Sequence, residues 1–226
     1  MALIDKATGF TKELIEDSLP LWDAAVDSEF IKALINNTME KDVFHEYMIQ
    51  DSIYLRYYLK IFAFAMTKAK SIADMQLYYG MLGYVDEGEN TTRLNYLKDA
   101  GYTDADMETI PLKKSCRDYC NFLMHQGANG SELDIIMAMF PCMIGYQYVW
   151  EKVAERNPAI METYYGPCAA DYVNEGYDEY CEYWYNIVNE KVAGCSREEL
   201  DSFKAIFREA SLHELLFWQM AGREHE

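Results

Sequence analysis

Three residues with chemically reactive side chains interrupt helical stripes that are otherwise apolar: Asp51, Cys142 and Glu214. A cysteine thiol can act as a nucleophile, and a carboxyl group can carry protons as a general acid or base. Burying an ionised carboxylate is strongly unfavourable unless it is paired or hydrogen-bonded, so an acid on a buried face needs a reason. Together, these residue types suit a reaction in which a thiol attacks while a carboxyl group moves protons.

The two acids lie on long predicted helices. On a helix from about 40 to 68, Asp51 interrupts the inward stripe of apolar and aromatic residues, one turn before Tyr54. On the last predicted helix, Glu214 interrupts a similar stripe, and Trp218 follows it at i+4. Residues three and four apart share a helix face. We therefore expect both carboxyl groups to point into an interior lined by aromatic rings.

The third residue, Cys142, directly follows Pro141 in a predicted helix over 131–155 that is apolar nearly all round. A helix of this kind is enclosed by neighbours on most sides. Proline removes a backbone donor and displaces the carbonyl one turn earlier, here that of Met137, so we expect the helix to break inside the domain. A cavity with polar groups would satisfy the freed backbone, and Cys142 and Tyr146 would both face it.

Each of these residues, taken alone, also has a structural interpretation. A buried acid on an apolar stripe is commonly held by a tyrosine hydroxyl, a backbone amide or an arginine, and a cysteine in a core helix is commonly inert. Three such interruptions on three helices of one domain are harder to explain by packing alone. They favour a central pocket that contains two carboxyl groups, a thiol and several of the 19 tyrosines.

The elements that must position these residues are helices. Helical spacing runs through nearly the whole chain and no strand pattern stands out, so we predict an all-α protein with one domain over 1–226. Pro20 and Gly101 mark helix ends, while Ser131 and Ser196 each open a helix with an acid three residues later. The predicted helices cover about 3–18, 27–37, 40–68, 71–99, 113–126, 131–155, 168–192 and 196–222, with short turns near 21–25 and 104–109.

Charge and composition argue against several classes of function. The 226 residues include 38 acids against 20 Lys and Arg, a net charge of -18, whereas binding nucleic acid or an anionic membrane surface needs clustered cations. No stretch reaches ~18 uncharged apolar residues and the N-terminus lacks an apolar signal core, so we expect a cytoplasmic protein without a membrane span. Six cysteines without a CxxC pair indicate free thiols, and the four histidines make a poor metal set.

Three motifs, in this order, resemble those of the TenA/thiaminase II family. Residues 44–69, FHEYMIQDSIYLRYYLKIFAFAMTKA, resemble the family's Phe, two spacers and Tyr followed by Gln-Asp-x-x-Tyr-Leu. Residues 140–146, FPCMIGY, resemble its Pro-Cys with a tyrosine four residues after the cysteine. Residues 210–221, ASLHELLFWQMA, resemble its terminal Glu-x-x-Phe-Trp element. The similarity covers nearly the whole chain, and it implies a single-domain haem-oxygenase-like helical bundle.

The resemblance also implies a role for seven residues. Cys142 would be the catalytic thiol, Glu214 the acid/base, and Asp51 the carboxylate that holds the aminopyrimidine edge of the substrate. Four tyrosines fall where the family has pocket aromatics or hydroxyls: Tyr54, Tyr119, Tyr146 and Tyr172. The implied activity is hydrolysis of 4-amino-5-aminomethyl-2-methylpyrimidine, or of thiamine, to the hydroxymethylpyrimidine in thiamin salvage. It would use no cofactor, in a protein that is a homotetramer.

Three positions depart from the family pattern and bear on substrate size and preference. Ile144 stands where the family often has an aromatic residue, the pair at 168–169 is Cys-Ala where Trp-Ile is common, and His213 replaces a usual tyrosine. Two other functions stay open. A metal- or haem-dependent oxygenase on the same fold is disfavoured by the poor histidine supply, and a non-enzymatic regulator that binds DNA conflicts with the net charge.

Overall fold

The described part of the chain, residues 3–87 and 89–222 of a computed structural model, is built from helices, and no β-strand occurs in it. The predicted all-α class is confirmed. The helices are α1 (Gly9–Val26), α2 (Glu29–Ile35), α3 (Lys41–Lys68), α4 (Ile72–Glu87), α5 (Glu89–Asp99), α6 (Lys114–Asn129), α7 (Glu132–Arg156), α8 (Gly166–Tyr172), α9 (Glu175–Lys191) and α10 (Arg197–Met220). Short 3₁₀ helices cover Leu3–Lys6, Asp104–Glu108 and Pro158–Glu162.

The central helix of the bundle is α7. It packs against α1, α3, α6 and α10, with its most extensive contact to α10. It is long and apolar enough to cross a membrane, but most of its apolar stretch is buried inside the fold, as in the core helix of a globular domain. Because the neighbours enclose it, side chains that α7 directs toward α3, α6 and α10 meet in a water-poor interior.

The predicted break at Pro141 is wrong, because α7 is continuous from Glu132 to Arg156. Tyrosine hydroxyls from other helices bond to backbone carbonyls on both sides of the proline. Tyr58 Oη donates to the carbonyl of Met139 at 3.3 Å, and Tyr177 Oη donates to the carbonyl of Met143 at 3.0 Å. These two bonds attach α7 to α3 and α9 on either side of the proline, and packing against the neighbouring helices keeps α7 continuous although the carbonyl of Met137 loses its amide donor.

The predicted helix end before Pro20 is also wrong. The helix α1 runs through Pro20, and the stretch 21–25 that was expected to form a separate turn belongs to it. The carbonyl that loses its donor is that of Glu16, one turn earlier. Both Glu16 and Pro20 lie on the exposed side of α1, where water can take the place of the missing amide.

The helix starts and the helix end predicted from local capping patterns are present in the structure. Ser131 with Asp134 and Ser196 with Glu199 form reciprocal capping boxes at the starts of α7 and α10, as predicted. Gly101 has φ +83°, and the amides of residues 101 and 102 bond back to the carbonyls of residues 98 and 97 in a Schellman motif that ends α5.

Two long helices predicted from spacing are divided in the structure. The stretch 168–192 becomes α8 and α9, because Asn174 accepts a hydrogen bond from the amide of Tyr177 and starts a new helix. The stretch 71–99 becomes α4 and α5, and the junction between them at position 88 lies outside the described residues. The first predicted helix differs from α1 by six residues at its start and eight at its end, and the other predicted helices are present with ends that differ by at most three residues.

Candidate active site

The three residues singled out by the sequence meet between α3, α7 and α10. Asp51 and Glu214 are buried, at 7% and 4% exposure, while Cys142 is half-buried. The Cys142 thiol is hydrogen-bonded to the Glu214 carboxyl group. Tyr119 Oη, from α6, donates to Glu214 Oε1 at 2.6 Å. A nucleophile and a carboxyl group are thus in direct contact, and a phenol fixes the orientation of the carboxyl group.

Burial sets the protonation behaviour of Glu214. Removal of the carboxyl group from water raises its pKa from the ordinary 4.5 to about 7, because the charged form loses hydration. The hydrogen bonds from Tyr119 and Cys142 act in the opposite direction, since each stabilises the carboxylate. A carboxyl group with a pKa near neutrality can both accept and return a proton during one turnover, which is the requirement for a general acid/base.

Tyr54 and Tyr119 form one wall of this site. Their ring centroids are 4.8 Å apart, and Phe217 packs against the Tyr54 ring at 5.6 Å. Burial raises the pKa of both phenols well above its ordinary value, so both stay protonated, and each has a proton that it can donate. The Tyr54 hydroxyl lies beside that of Tyr119 but makes no well-aligned hydrogen bond with the described residues. A polar hydroxyl is therefore available beside the thiol and the acid.

Asp51 ends a chain of tyrosine hydroxyls. Tyr47 Oη donates to Tyr146 Oη at 3.1 Å, and Tyr146 Oη donates to Asp51 Oδ1 at 3.5 Å, a long hydrogen bond. Tyr47 lies one turn before Asp51 on α3, and Tyr146 lies one turn after Cys142 on α7. The chain keeps the hydroxyl of Tyr146, and with it one edge of the site, in a defined orientation.

Tyr172, on the short helix α8, also reaches this interior. Its ring lies parallel to that of Trp150 and packs on the ring of Tyr146, with centroids 5.3 Å apart in the second pair. Tyr172, Asp51 and Cys168 line an internal cavity of about 10 Å³. A space of that size has room for about one water molecule. All seven predicted site residues therefore contribute to one connected region, with Tyr172 at the Asp51 end.

Sequence reasoning assigned no role in the site to two aromatic residues that complete it. Trp218 stacks on Tyr47 with centroids 5.2 Å apart and contacts Tyr146 at 4.6 Å. In the sequence pattern, Tyr47 is one of the apolar and aromatic residues in the inward stripe of α3. The signal that could have found both is their spacing, since Tyr47 precedes Asp51 by four residues and Trp218 follows Glu214 by four.

Of the departures from the family pattern, Ile144 is remote from the nucleophile. Two residues along a continuous α-helix lie about 200° apart, so Ile144 faces away from Cys142 and is buried on the other side of α7. The altered residue at this position therefore changes packing behind the helix. Cys168 instead lies beside Asp51 and Tyr172 and lines the same small cavity.

The remaining cysteines differ from Cys142 in their surroundings. All six are free thiols, and Cys142 and Cys195 are the two that are half-buried. A hydrogen bond with Cys120 and burial raise the pKa of Cys116, and burial raises the pKa of Cys181. Within residues 3–87 and 89–222, no group of three or more His, Cys, Asp and Glu side chains could hold a metal ion.

Comparison with known families shows where this chain belongs. The model of the TENA/THI-4/PQQC family matches residues 16–224, which is nearly the entire chain. The chain belongs to this family. As a TENA/THI-4/PQQC protein, it is 26% identical over 215 residues to the aminopyrimidine aminohydrolase of Halalkalibacterium halodurans, and the match covers 95% of this chain and 96% of that protein.

Solved structures show the fold of this TENA/THI-4/PQQC protein. A TenA homologue from Pyrococcus furiosus superposes with a TM-score of 0.83 at 20% identity, over 93% of this chain and 98% of that one. A domain with a haem-oxygenase-like fold from Shewanella denitrificans gives a TM-score of 0.73 at 14% identity, over 92% and 89% of the two chains. The predicted haem-oxygenase-like fold is confirmed.

Proposed function

We propose that this protein is a thiamin-salvage hydrolase that converts 4-amino-5-aminomethyl-2-methylpyrimidine to its 5-hydroxymethyl counterpart through a cysteine nucleophile. The observation that carries the proposal is the hydrogen-bonded pair of Cys142 and Glu214, in which the carboxyl pKa of about 7 suits proton transfer near neutral pH. The related aminopyrimidine aminohydrolase supports the substrate class. A single helical domain in the cytoplasm, without a cofactor, would carry this activity.

The first step moves the thiol proton. A carboxylate beside a thiol disfavours a standing thiolate, so Cys142 keeps its proton until substrate binds and then gives it to Glu214. The sulfur adds to an electron-poor carbon of the pyrimidine ring, while Glu214 delivers a proton to a ring nitrogen. One S–C bond forms, and the electron pair of the ring bond moves to that nitrogen.

The second half of the reaction exchanges amine for water. The electron pair returns from the ring nitrogen and expels the amine from the exocyclic methylene carbon, and the amine leaves as ammonia with one added proton. Water adds to the same carbon, the S–C bond breaks, and the ring becomes aromatic again. Glu214 relays the protons in both halves, so the net change is one water consumed and one ammonia released.

The remaining site residues bind the heterocycle in this proposal. Asp51 accepts hydrogen bonds from the amidine-like amino edge of the ring, with the hydroxyl chain through Tyr146 and Tyr47 setting its surroundings. The rings of Tyr54 and Tyr172 stack on the substrate or flank it. Aromatic walls also exclude water, which strengthens every hydrogen bond made inside.

A direct turnover assay tests the activity. Purified protein incubated with the aminomethylpyrimidine is expected to release ammonia and the hydroxymethylpyrimidine in equal amounts, because the proposed steps exchange one amine for one hydroxyl. Thiamine is assayed in parallel, and comparison of the two turnover rates shows which of the substrates left open by the family resemblance is preferred. Absence of hydroxymethylpyrimidine from both reactions would reject the proposed function.

We also propose that the protein acts as a homotetramer. Ile72, Met75 and Tyr79 lie on one face of α4 and are exposed at 75%, 41% and 68%, which is unusual for large apolar side chains in a row. Light scattering after gel filtration is expected to give four times the 26.3 kDa of one chain. A mass of one chain at micromolar concentration would contradict this proposal.

A further inference from the structure

The ring of His213 lies flat against the ring of Tyr119, the tyrosine that bonds to Glu214. The two ring planes differ by 5°, and their centroids are 5.3 Å apart. Tyr54 packs on Tyr119 as well, with centroids 4.8 Å apart, so the phenol that bonds to Glu214 is held by rings from α3 and α10. Phe122 contacts the His213 ring at 5.0 Å and holds it in turn.

His213 directly precedes Glu214 on α10, while Tyr119 lies on the adjacent helix α6. The Tyr119 phenol that donates the 2.6 Å hydrogen bond to Glu214 is therefore stacked on the ring of the residue that directly precedes Glu214. The Nδ1 atom of His213 is buried and has no hydrogen-bond partner in the described part of the chain. Nδ1 therefore does not hold the imidazole, which is positioned by packing against the neighbouring rings of Tyr119 and Phe122.

We propose that His213 is a positioning residue for Glu214, acting through Tyr119. This inference rests on the proposed hydrolase activity. The flat ring holds Tyr119 where its hydroxyl reaches the carboxyl group of Glu214. This hydrogen bond stabilises the carboxylate, so the protonated carboxyl group stays acidic enough to give up its proton within the catalytic cycle. His213 itself touches no reacting atom.

The charges around both groups support this role. Burial lowers the pKa of His213, against the opposing influence of Glu209 on α10 and Asp118 on α6, so the ring is neutral at neutral pH. Asp118 is itself paired with Lys114 and lies near Arg117. Four phenols whose pKa is raised by burial interact electrostatically with Glu214, and the Cys142 thiol is hydrogen-bonded to it: the phenols are Tyr119, Tyr54, Tyr47 and Tyr146.

The test compares His213→Ala with His213→Phe, which keeps a flat ring but has no nitrogen. His213→Ala is expected to lower kcat roughly ten- to hundredfold with little change in KM, since a misplaced group weakens the reaction more than binding. It should also raise the apparent pKa of the Glu214 limb of the pH–rate profile by about half a unit or more, because the Tyr119 hydrogen bond that lowers the pKa of Glu214 weakens. His213→Phe is expected to restore both values.

A second readout does not need turnover. The pH dependence of alkylation at Cys142, followed by mass spectrometry of the labelled peptide, reports the ionisation of the hydrogen-bonded carboxyl group. The same upward shift is expected in His213→Ala and not in His213→Phe or in the control His125→Ala, an exposed histidine on α6. This arm decides the inference even if wild-type protein fails to hydrolyse the pyrimidine.

Three results would overturn the proposal. The first is an unshifted Glu214 limb in His213→Ala. The second is a downward shift, which would mean that water enters the vacated space and hydrates Glu214. The third is an equal loss in His213→Phe, which would show that a nitrogen of the imidazole is needed.

Discussion

Replacing Cys142 with serine is expected to lower kcat on the aminomethylpyrimidine by roughly 10³-fold or more, because the proposed nucleophile is lost. A hydroxyl is far less acidic than a thiol and leaves a carbon centre poorly, so both formation and breakage of the covalent bond slow. Serine has nearly the same shape and can still hydrogen-bond to Glu214. The KM for the pyrimidine is therefore expected to change much less than kcat.

The matched control is Cys195→Ser, since Cys195 is the other half-buried thiol and lies outside the site. Its turnover and melting temperature are expected to equal those of the wild type. Steady-state kinetics on the three proteins, together with binding of the product pyrimidine, separate loss of chemistry from loss of binding. Cys142→Ser with wild-type kcat would reject the nucleophile assignment, whatever happens to binding.

Replacing Glu214 with glutamine is expected to lower turnover strongly, as the Cys142 substitution does. The same change is expected to raise stability relative to the wild type at alkaline pH. The amide can accept the Tyr119 hydrogen bond but cannot carry a proton, so kcat should fall by roughly 10²- to 10⁴-fold. The wild-type rate itself should titrate near pH 7, where Glu214 changes its protonation state.

The stability effect follows from the raised pKa of Glu214. The folded state holds a proton up to about pH 7, whereas the unfolded chain releases it near 4.5. Stability is therefore fully present below pH 4.5 and falls as pH rises through 7, by about 3 kcal/mol in total. Glutamine has no proton to lose, so the variant should gain on the wild type between pH 5 and pH 8.

Denaturant unfolding at pH 5 and pH 8 measures this gain as a change in the free energy of unfolding. Glu209→Gln is the matched control, because Glu209 lies on the exposed side of the same helix. It should lose the same stability as the wild type between the two pH values. If Glu214→Gln lost as much stability as the wild type, Glu214 would have an ordinary pKa and could not act as the acid/base proposed here.

Much of the architecture could be read from local patterns. The stripes that run along the 28 residues of α3 and the 24 residues of α10 are long, so a single acid inside each was conspicuous. Capping boxes at Ser131 and Ser196 and the glycine stop at Gly101 depend on residues within one turn of the chain. Such signals depend on no tertiary contact, so the structure contains them as the sequence predicts.

The errors concern positions where tertiary contacts override a local rule. Proline alone predicts a break at residue 141, but hydroxyls from Tyr58 and Tyr177, far away in sequence, anchor the helix to its neighbours on both sides of the proline. The predicted helix end at residue 20 failed for a simpler reason. The affected carbonyl of Glu16 faces water, so continuing the helix carries a smaller penalty there.

By itself the sequence determined that the protein is all-α and that Asp51, Cys142 and Glu214 each lie on the inward face of a helix, since residue type and helical phase decide both. Only the tertiary structure decided how the site is protonated. The pKa of Glu214 depends on burial by several helices at once and on a hydrogen bond from Tyr119, 95 residues away along the chain. The stacking of His213 on Tyr119 likewise depends on the packing of α10 against α6, a geometry that spacing within one helix does not contain.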